Sequence, residues 1–241
     1  MKFSTQLLEW WDQHGRKDLP WQHPRTAYRV WVSEIMLQQT QVKTVIPYFN
    51  RFMERFPDIE SLAAVSNDDV LAYWSGLGYY ARARNLRKTA KICVDNHDAE
   101  LPRKPGELVA LPGIGESTAN AIYSQAFDKP AVILDGNVKR VLSRFFAVEG
   151  WPGKASVHKE LWNIAGQLLP TQRGADYTQA IMDLGATLCT RTKPSCEACP
   201  VNETCKAYGA GTVEQFPAKR PALKISKKSF QMVILLDKNG K

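Results

Sequence analysis

The sequence predicts an all-α protein of many short helices arranged in two lobes. Apolar residues recur at the three- and four-residue spacing of amphipathic helices, and few segments before the C-terminus alternate as strands do. Proline and glycine residues interrupt this pattern often, which keeps each predicted helix short. With 241 residues, 44% of them hydrophobic and 23% charged, the chain has the composition of a folded protein with one large or two small domains.

Nine stretches carry the helical pattern. In chain order they cover residues 3–13, 26–38, 42–55, 68–74, 79–95, 117–127, 136–148, 156–168 and 175–189. In the second stretch, Tyr28, Trp31 and Ile35 lie on one apolar stripe, as expected of a helix packed on a core. The Lys129-Pro130 step interrupts the pattern, so we expect the boundary between the lobes near residues 128–135.

The C-terminal residues differ from the rest of the chain. Residues 216–228 are basic without an acidic residue and read as a linker. Residues 230–236, FQMVILL, read as a strand, and the following DKNGK reads as a turn. Because one strand is not stable alone, the sequence predicts that the chain stops just inside a second, β-containing module.

Net charge and hydropathy limit the class of partner. The formal net charge of +8 and a pI near 9.2 favour an anionic partner, of which nucleic acid is the commonest. A basic enzyme with a small acidic substrate is the alternative. The longest apolar run, Met232 to Leu236, is too short to span a bilayer, and the N-terminus has no apolar signal region. We therefore expect a cytoplasmic protein with no membrane partner.

Four of the five cysteines fall in one short segment. Their pattern is Cys189-x6-Cys196-x2-Cys199-x5-Cys205, and Arg191, Lys193 and Lys206 lie among them. In a cytosolic chain, four thiols this close favour a zinc ion or an iron–sulfur cluster over disulfides. Four unrelated structural cysteines are the alternative. The fifth, Cys93, lies between Ile92 and Val94 and reads as a core residue.

A hairpin is predicted within ELVALPGIGESTANAIYSQAF, as a helix, the turn LPGIG and a second helix. Gly113 and Gly115 allow a tight turn with exposed backbone N–H groups, and the helix N-terminus points the same way. Together they predict a site for a phosphate group that reads no base sequence. An ordinary αα-hairpin with a glycine turn is the alternative.

Two carboxylates stand in different local contexts. Glu34 has no basic residue three or four positions away, and its neighbours there are mostly apolar. A desolvated Glu has a raised pKa, which suits a general acid, whereas a Glu on the polar side of the helix is the alternative. Asp135 precedes a helix and reads as an N-cap, where the ionised form is favoured. The pair therefore predicts a protonated acid beside a charged stabiliser.

The stretch from residue 79 to residue 92 is basic. It carries Arg82, Arg84, Arg87, Lys88 and Lys91 and no acidic residue. These five cations read either as phosphate contacts or as a solvated helix face.

Five segments together resemble the MutY family of adenine DNA glycosylases, which belongs to the endonuclease III-like helix–hairpin–helix superfamily. They are VWVSEIMLQQTQV, GLGYYARARNL, LPGIGESTANAI, ILDGNVKRVL and the four cysteines. The resemblance implies a six-helix barrel with the hairpin over residues 20–130, and an iron–sulfur lobe over residues 1–19 plus 131–215, with a DNA cleft between them. Residues 216–241 would then be a basic linker and the first strand of a truncated Nudix-like domain.

The resemblance also implies a chemistry. Glu34 would protonate adenine mispaired with 8-oxoguanine or guanine in duplex DNA, after the base is flipped out of the helix. Asp135 would stabilise the oxocarbenium-like sugar or bond it transiently, and water would complete the hydrolysis. Ser117 stands where relatives that also cut the strand have a lysine; since serine cannot form an imine, a monofunctional enzyme is implied. Lys139, one turn after Asp135, carries an amine that could face the same cleft or a phosphate.

Further implied features are a [4Fe–4S] cluster on Cys189, Cys196, Cys199 and Cys205, and a monomeric, nucleoid-associated protein of bacterial type. The resemblance assigns wedging roles beside the lesion to Gln39 and Tyr79, although a core aromatic is the alternative for Tyr79. The complete set of implied DNA contacts is Gln39, Gln41, Tyr79, Gly113, Gly115, Ser117, Asn137 and Lys139. An endonuclease III-like pyrimidine glycosylase, a non-catalytic iron–sulfur DNA-binding protein and a zinc-binding interaction module remain as alternatives.

Overall fold

The fold is described by a computed structural model that covers residues 2–222 and 229–232. Within these ranges all regular secondary structure is helical, which confirms the predicted all-α class. The α-helices are α1 Phe3–His14, α2 Ala27–Leu37, α3 Val42–Arg55, α4 Ile59–Ala64, α5 Asn67–Trp74, α6 Ala81–Asn96, α7 Pro105–Val109, α8 Glu116–Phe127, α9 Gly136–Phe145, α10 Ala155–Gln167, α11 Gly174–Thr187 and α12 Lys206–Gly209. No helix in the described ranges is long and apolar enough to cross a membrane.

Helices that the periodicity did not predict are the shortest ones. The six residues of α4 are too few to show a period, but Asp58 and Ser61 form a reciprocal capping box at its start. The four residues of α12 follow the last cysteine directly. The predicted strand at residues 230–236 falls mostly outside the described part of the chain, and residues 229–232 have no regular secondary structure.

The helices enclose two hydrophobic cores. One is built from residues between Leu19 and Ile122, and it includes Cys93, which is fully buried as predicted. The other is built from residues of α1 and from residues between Ala121 and Val201. We infer that these cores correspond to the two lobes.

The N-terminal helix is fastened to the second core by a buried carboxylate. Asp183 on α11 accepts hydrogen bonds from Trp11 Nε1 at 3.1 Å and from the Arg16 Nε and Nη2 atoms at 2.9 and 2.6 Å. Gln179 Nε2 donates to the same carboxylate at 2.8 Å. Since the Asp183 side chain is almost fully buried, these donors are needed to offset its desolvation.

Candidate active site

A cavity of about 800 Å³ is lined by residues of both cores. Its walls are the end of α2, residues 39–43, the start of α9 and one face of α11. Glu34 and Asp135 both line it, and they also line an adjoining cavity of about 110 Å³ together with Ser117. Two carboxyl groups that are 101 positions apart in the sequence therefore meet at one recess.

Glu34 is presented to this recess by α2. The helix begins after Thr26, whose hydroxyl oxygen accepts the Arg29 N–H, and most of its other side chains are buried. Burial raises the pKa of Glu34 to about 7, and the charge of Asp135 acts in the same direction. One group opposes this shift: Gln125 Nε2 on α8 donates to Glu34 Oε1 at 2.8 Å. The expected desolvation of Glu34 is thus confirmed.

Asp135 is the N-cap of α9, as its sequence context predicts. Its Oδ1 atom accepts the Val138 N–H at 2.7 Å, and its Oδ2 atom accepts from Asn137 Nδ2 at 3.3 Å. The extended segment that delivers it is bonded to α8: Leu134 N–H donates to Ser117 Oγ at 2.9 Å, and Asn120 Nδ2 donates to the Val132 carbonyl at 2.7 Å. Ser117 therefore helps to hold the residue next to Asp135.

The pKa of Asp135 reflects two opposed effects. The helix N-terminus favours the ionised form, as predicted, yet the net pKa of Asp135 is raised. Its burial outweighs the hydrogen bonds from Val138 and Asn137 and the charge of Arg140, all of which lower the pKa. Burial was invisible in the local sequence pattern.

A chain of hydrogen bonds links Asp135 to the cysteine segment. Arg140 Nη2 donates to Asn137 Oδ1 and to the Gly185 carbonyl, both at 2.7 Å. Its Nε atom donates to the Cys189 carbonyl at 2.7 Å. Asn137, predicted as a DNA contact, thus also connects Asp135 to Arg140.

Gly185 permits this close contact of α9 with α11. A Cβ atom at Gly185 would lie 2.7 Å from the Asn137 Cβ atom, closer than real side chains approach. Any larger residue there would displace Asn137.

The four clustered cysteines line one cavity, which also contains Arg144. Arg144 Nη1 lies 3.4 Å from Cys189 Sγ, and backbone N–H groups bond to the sulfurs of Cys199 and Cys205. Burial and the neighbouring cysteines raise the pKa of Cys199 to about 11. In the described part of the chain, no three ligand side chains surround one point closely enough to hold a single metal ion.

The predicted hairpin is present as α7, a turn and α8. Gly113 has φ +79° and its missing side chain makes room for Asn85, whereas a Cβ on Gly115 would meet nothing within 4 Å. Gly115 precedes α8 as its N-cap, and no side chain caps the first turn of that helix. The turn therefore presents free N–H groups beside an open backbone position, as a phosphate site requires.

The residues with implied wedging roles lie at the surface. Tyr79 is 59% exposed, so it is not the core aromatic of the alternative interpretation. Gln39 and Gln41 are exposed and line the large cavity. Lys139 is half-buried and lines neither cavity, and a role for its amine at the cleft or at a phosphate stays a prediction.

The predicted basic face of α6 is only partly a surface. Arg84, Lys88 and Lys91 are exposed. Arg82 is buried and donates to backbone carbonyls, so phosphate contact was the wrong prediction for this residue. Arg87 is half-buried, and its Nε atom donates to the Val65 carbonyl. The sequence shows how many basic residues the helix carries but not which of them are buried in the fold.

Two functional neighbours were missed. Gln125 has Ile122 and Ala121 three and four positions before it, so the sequence indicates its place on the buried face of α8. Its partner Glu34, 91 positions away, has no such local signal. The sequence around Arg140 does not indicate its hydrogen bonds to Asn137 and Cys189.

Comparison with known proteins matches residues 32–167 to the HhH-GPD superfamily of base excision DNA repair proteins. An adenine DNA glycosylase from Buchnera aphidicola of Schizaphis graminum is 44% identical over 233 residues, covering 96% of this chain and 67% of its own length. The chain belongs to the adenine DNA glycosylase family. The human adenine DNA glycosylase is also 44% identical, over 90% of this chain and 41% of its own.

Solved structures agree with this family on the fold. A thermostable thymine-DNA glycosylase matches with a TM-score of 0.78 and 28% identity, covering 86% of this chain and 95% of its own. A non-covalent endonuclease III–DNA complex matches with a TM-score of 0.72 and 23% identity, over 86% and 94%. The higher identity to adenine glycosylases separates this chain from those pyrimidine-directed and endonuclease III-like proteins. As a member of its family, it is a DNA glycosylase of base excision repair.

Proposed function

We propose that this adenine DNA glycosylase hydrolyses the N-glycosidic bond of adenine mispaired with 8-oxoguanine or guanine in duplex DNA, without cutting the strand. The observation that carries the proposal is the convergence of Glu34, with a pKa of about 7, and Asp135 at one recess. Ser117 points the same way, because its hydroxyl bonds to Leu134 and offers no amine for an imine.

Glu34 acts as the general acid. At neutral pH a carboxyl with a pKa near 7 is substantially protonated and can give that proton to a ring nitrogen of the flipped adenine. The glycosidic bond then breaks with both electrons leaving on the base. Gln125 holds the carboxyl through Oε1, which leaves the other oxygen free to carry the proton.

Asp135 stabilises the positive charge that develops on the sugar. Its carboxylate is held by the first turn of α9 and by Asn137, so it needs no rearrangement when the charge appears. Water adds to the sugar C1′ atom, and its proton returns to the Glu34 carboxylate. The products are free adenine and an abasic site.

The cysteine segment fits a [4Fe–4S] cluster. Four thiols line one cavity, and a [4Fe–4S] centre takes four cysteine thiolates as its ligands. Arg144 places a positive charge beside these sulfurs, with its Nη1 atom 3.4 Å from Cys189 Sγ. When bound, the cluster would fix the loop that carries the exposed cations Arg191, Lys193 and Lys206.

Several separate surfaces of the protein would together bind the DNA duplex. The LPGIG turn would take a backbone phosphate, while Arg84, Lys88 and Lys91 and the cations of the cysteine segment would add salt-dependent affinity. We propose that Gln39, Gln41 and Tyr79 contact the mispair. Gln39, Gln41 and Asn137 line the large cavity, and Tyr79 is exposed. We propose that one copy suffices, since both carboxyls and the cavity come from a single chain.

The test is a glycosylase assay on three duplexes: adenine opposite 8-oxoguanine, adenine opposite guanine, and thymine glycol. We expect strand breaks only at the adenine, and only after alkali opens the abasic site. Breaks without alkali would contradict the monofunctional mechanism, and reaction at thymine glycol alone would favour a pyrimidine glycosylase.

A second test addresses the metal. Purified protein with broad visible absorbance and about four irons per chain would support the cluster. A colourless protein that contains one zinc per chain would contradict it.

A further inference from the structure

Arg82 is a buried cation whose partners are main-chain atoms of two separate segments. Only 8% of the residue is exposed, and no described carboxylate forms an ion pair with it. Its Nη1 atom donates to the carbonyl oxygens of Ile35, Met36 and Gln38 at 3.0, 2.8 and 2.6 Å. Its Nη2 atom donates to the carbonyl oxygens of Leu77 and Gly78 and to Thr40 Oγ1 at 3.2, 3.2 and 3.3 Å.

The two segments need such a partner. The last carbonyl oxygens of α2 accept no hydrogen bond from within the helix. The helix dipole also favours a cation at this end. The turn before α6 presents its carbonyls to the same guanidinium. One planar group with donors pointing in several directions satisfies both sets at once.

Each segment also contains an exposed residue with an uncommon backbone conformation. Gln39 has φ +59° and Tyr79 has φ +49°, in the left-handed region that non-glycine residues rarely adopt. Arg82 bonds to the residues on both sides of Gln39 and to the two residues before Tyr79. Such conformations persist where the surroundings hold them, and here Arg82 holds both.

The guanidinium also lies between two aromatic rings. Its central carbon is 5.3 Å from the Tyr79 ring centroid and 5.2 Å from that of Trp74. Trp74 Nε1 donates to the Gly78 carbonyl at 2.9 Å, which fixes the turn from a second direction. Tyr79 is thus held by its backbone and by its ring face while most of its surface remains open.

We propose that Arg82 is a positioning residue that holds Gln39 and Tyr79 as one rigid pair against the mispair, so that the adenine is extruded towards Glu34. The inference rests on the proposed function and deepens it by naming what sets the geometry of the base-flipping surface. A lysine cannot replace Arg82, because an ammonium has its donors on one nitrogen and lacks the planar fork.

The test uses the full chain and a duplex with adenine opposite guanine, in which 2-aminopurine next to the adenine reports unstacking. Arg82→Lys keeps the charge, and Arg87→Lys on the same helix is the matched control, since Arg87 bonds only to the Val65 carbonyl. We expect Arg82→Lys to lose at least half of the fluorescence rise on binding and about tenfold or more in single-turnover base release. Arg87→Lys should keep both, and affinity for undamaged duplex should stay unchanged in both variants.

A double-mutant comparison separates positioning from general damage to the fold. If Arg82 acts through Gln39 and Tyr79, Arg82→Lys should cause little further loss in a Gln39→Ala/Tyr79→Ala background. A loss of the same size in both backgrounds would overturn the inference, as would an Arg82→Lys protein that behaves like Arg87→Lys.

A milder variant keeps the inference testable if Arg82→Lys does not fold. Thr40→Val removes one acceptor of the guanidinium, so a smaller loss of the same fluorescence signal is expected, and an unchanged signal would count against the role of Arg82. Wild-type protein that releases no base from any adenine mispair would contradict the proposed function instead, so the two failures are distinguishable.

Discussion

Glu34 and Asp135 share one recess, yet the surroundings of the two carboxyls differ in how many groups stabilise a negative charge. Glu34 lies on an apolar helix with a single hydrogen-bond donor, Gln125. Asp135 has a helix N-terminus, Asn137 and the charge of Arg140. Burial raises the pKa of both groups, so the difference in donors, rather than in burial, fits one to hold a proton and the other to hold a charge.

The largest expected effect is on chemistry. Glu34→Gln should lower single-turnover base release by about 10²–10⁴-fold, the range for loss of a general acid, while binding to the mispair is retained. Asp135→Asn is the matched variant, because Asn is an equally good N-cap and removes only the charge; we expect a loss of about 10²–10³-fold. Quench-flow measurement of base release checks both. Near-wild-type rates in either variant would remove that residue from the mechanism.

The buried position of Glu34 also predicts that Glu34→Gln is more stable than the wild type at high pH. A carboxyl whose folded pKa is raised from 4.5 to about 7 destabilises the fold as pH rises from about 4.5 to 7, by up to about 3 kcal/mol above pH 7. Glu34→Gln avoids that cost, and the Gln125 amide can turn to accept from the new side chain. Thermal unfolding should show Glu34→Gln more stable than wild type at pH 8 and nearly equal at pH 4.5. A gain that does not depend on pH would argue against a buried ionisable Glu34.

A smaller effect is expected from the network behind Asp135. Asn137→Ala removes one donor to Asp135 and one acceptor of Arg140, so base release should fall about 10–100-fold. Asn120→Ala is the control, since it loses only a bond to the Val132 carbonyl and lines neither cavity. Equal losses in the two variants would mean that general loosening, rather than support of the Asp135 charge, causes the effect.

The smallest effect concerns the turn of the hairpin, where Gly115 lines neither of the cavities that Glu34 and Asp135 line. A Cβ at Gly115 meets no protein atom within 4 Å, so Gly115→Ala should fold normally and obstruct only the phosphate. Affinity should fall about fivefold, by a similar factor for every duplex, as titrations on mispaired and fully paired DNA can show. A loss confined to the mispaired duplex would contradict a phosphate site.

The sequence predicted those site residues whose pattern lies within one short segment of the chain. The apolar neighbours of Glu34, the N-cap position of Asp135 and the spacing of the cysteines each lie within one short segment. The sequence did not predict features that depend on long-range contacts. Gln125 bonds to Glu34 across 91 positions, and burial in the fold raises the pKa of Asp135 although its local hydrogen bonds lower it. Arg82 shows the same limit, because an arginine on a basic helix reads as a surface cation until the fold supplies six main-chain and side-chain acceptors.

The pH dependence of single-turnover base release from an adenine–guanine duplex tests the central claim most directly. In the proposed mechanism the proton donor is the protonated form of Glu34, which is lost as pH rises through its pKa of about 7. We therefore predict a rate that falls above about pH 7 in the wild type and lacks that decline in the residual activity of Glu34→Gln. A wild-type rate that stays constant between pH 6 and pH 8.5 (roughly 1 to 1.5 units either side of that pKa), or a decline that persists unchanged in Glu34→Gln, would contradict the account.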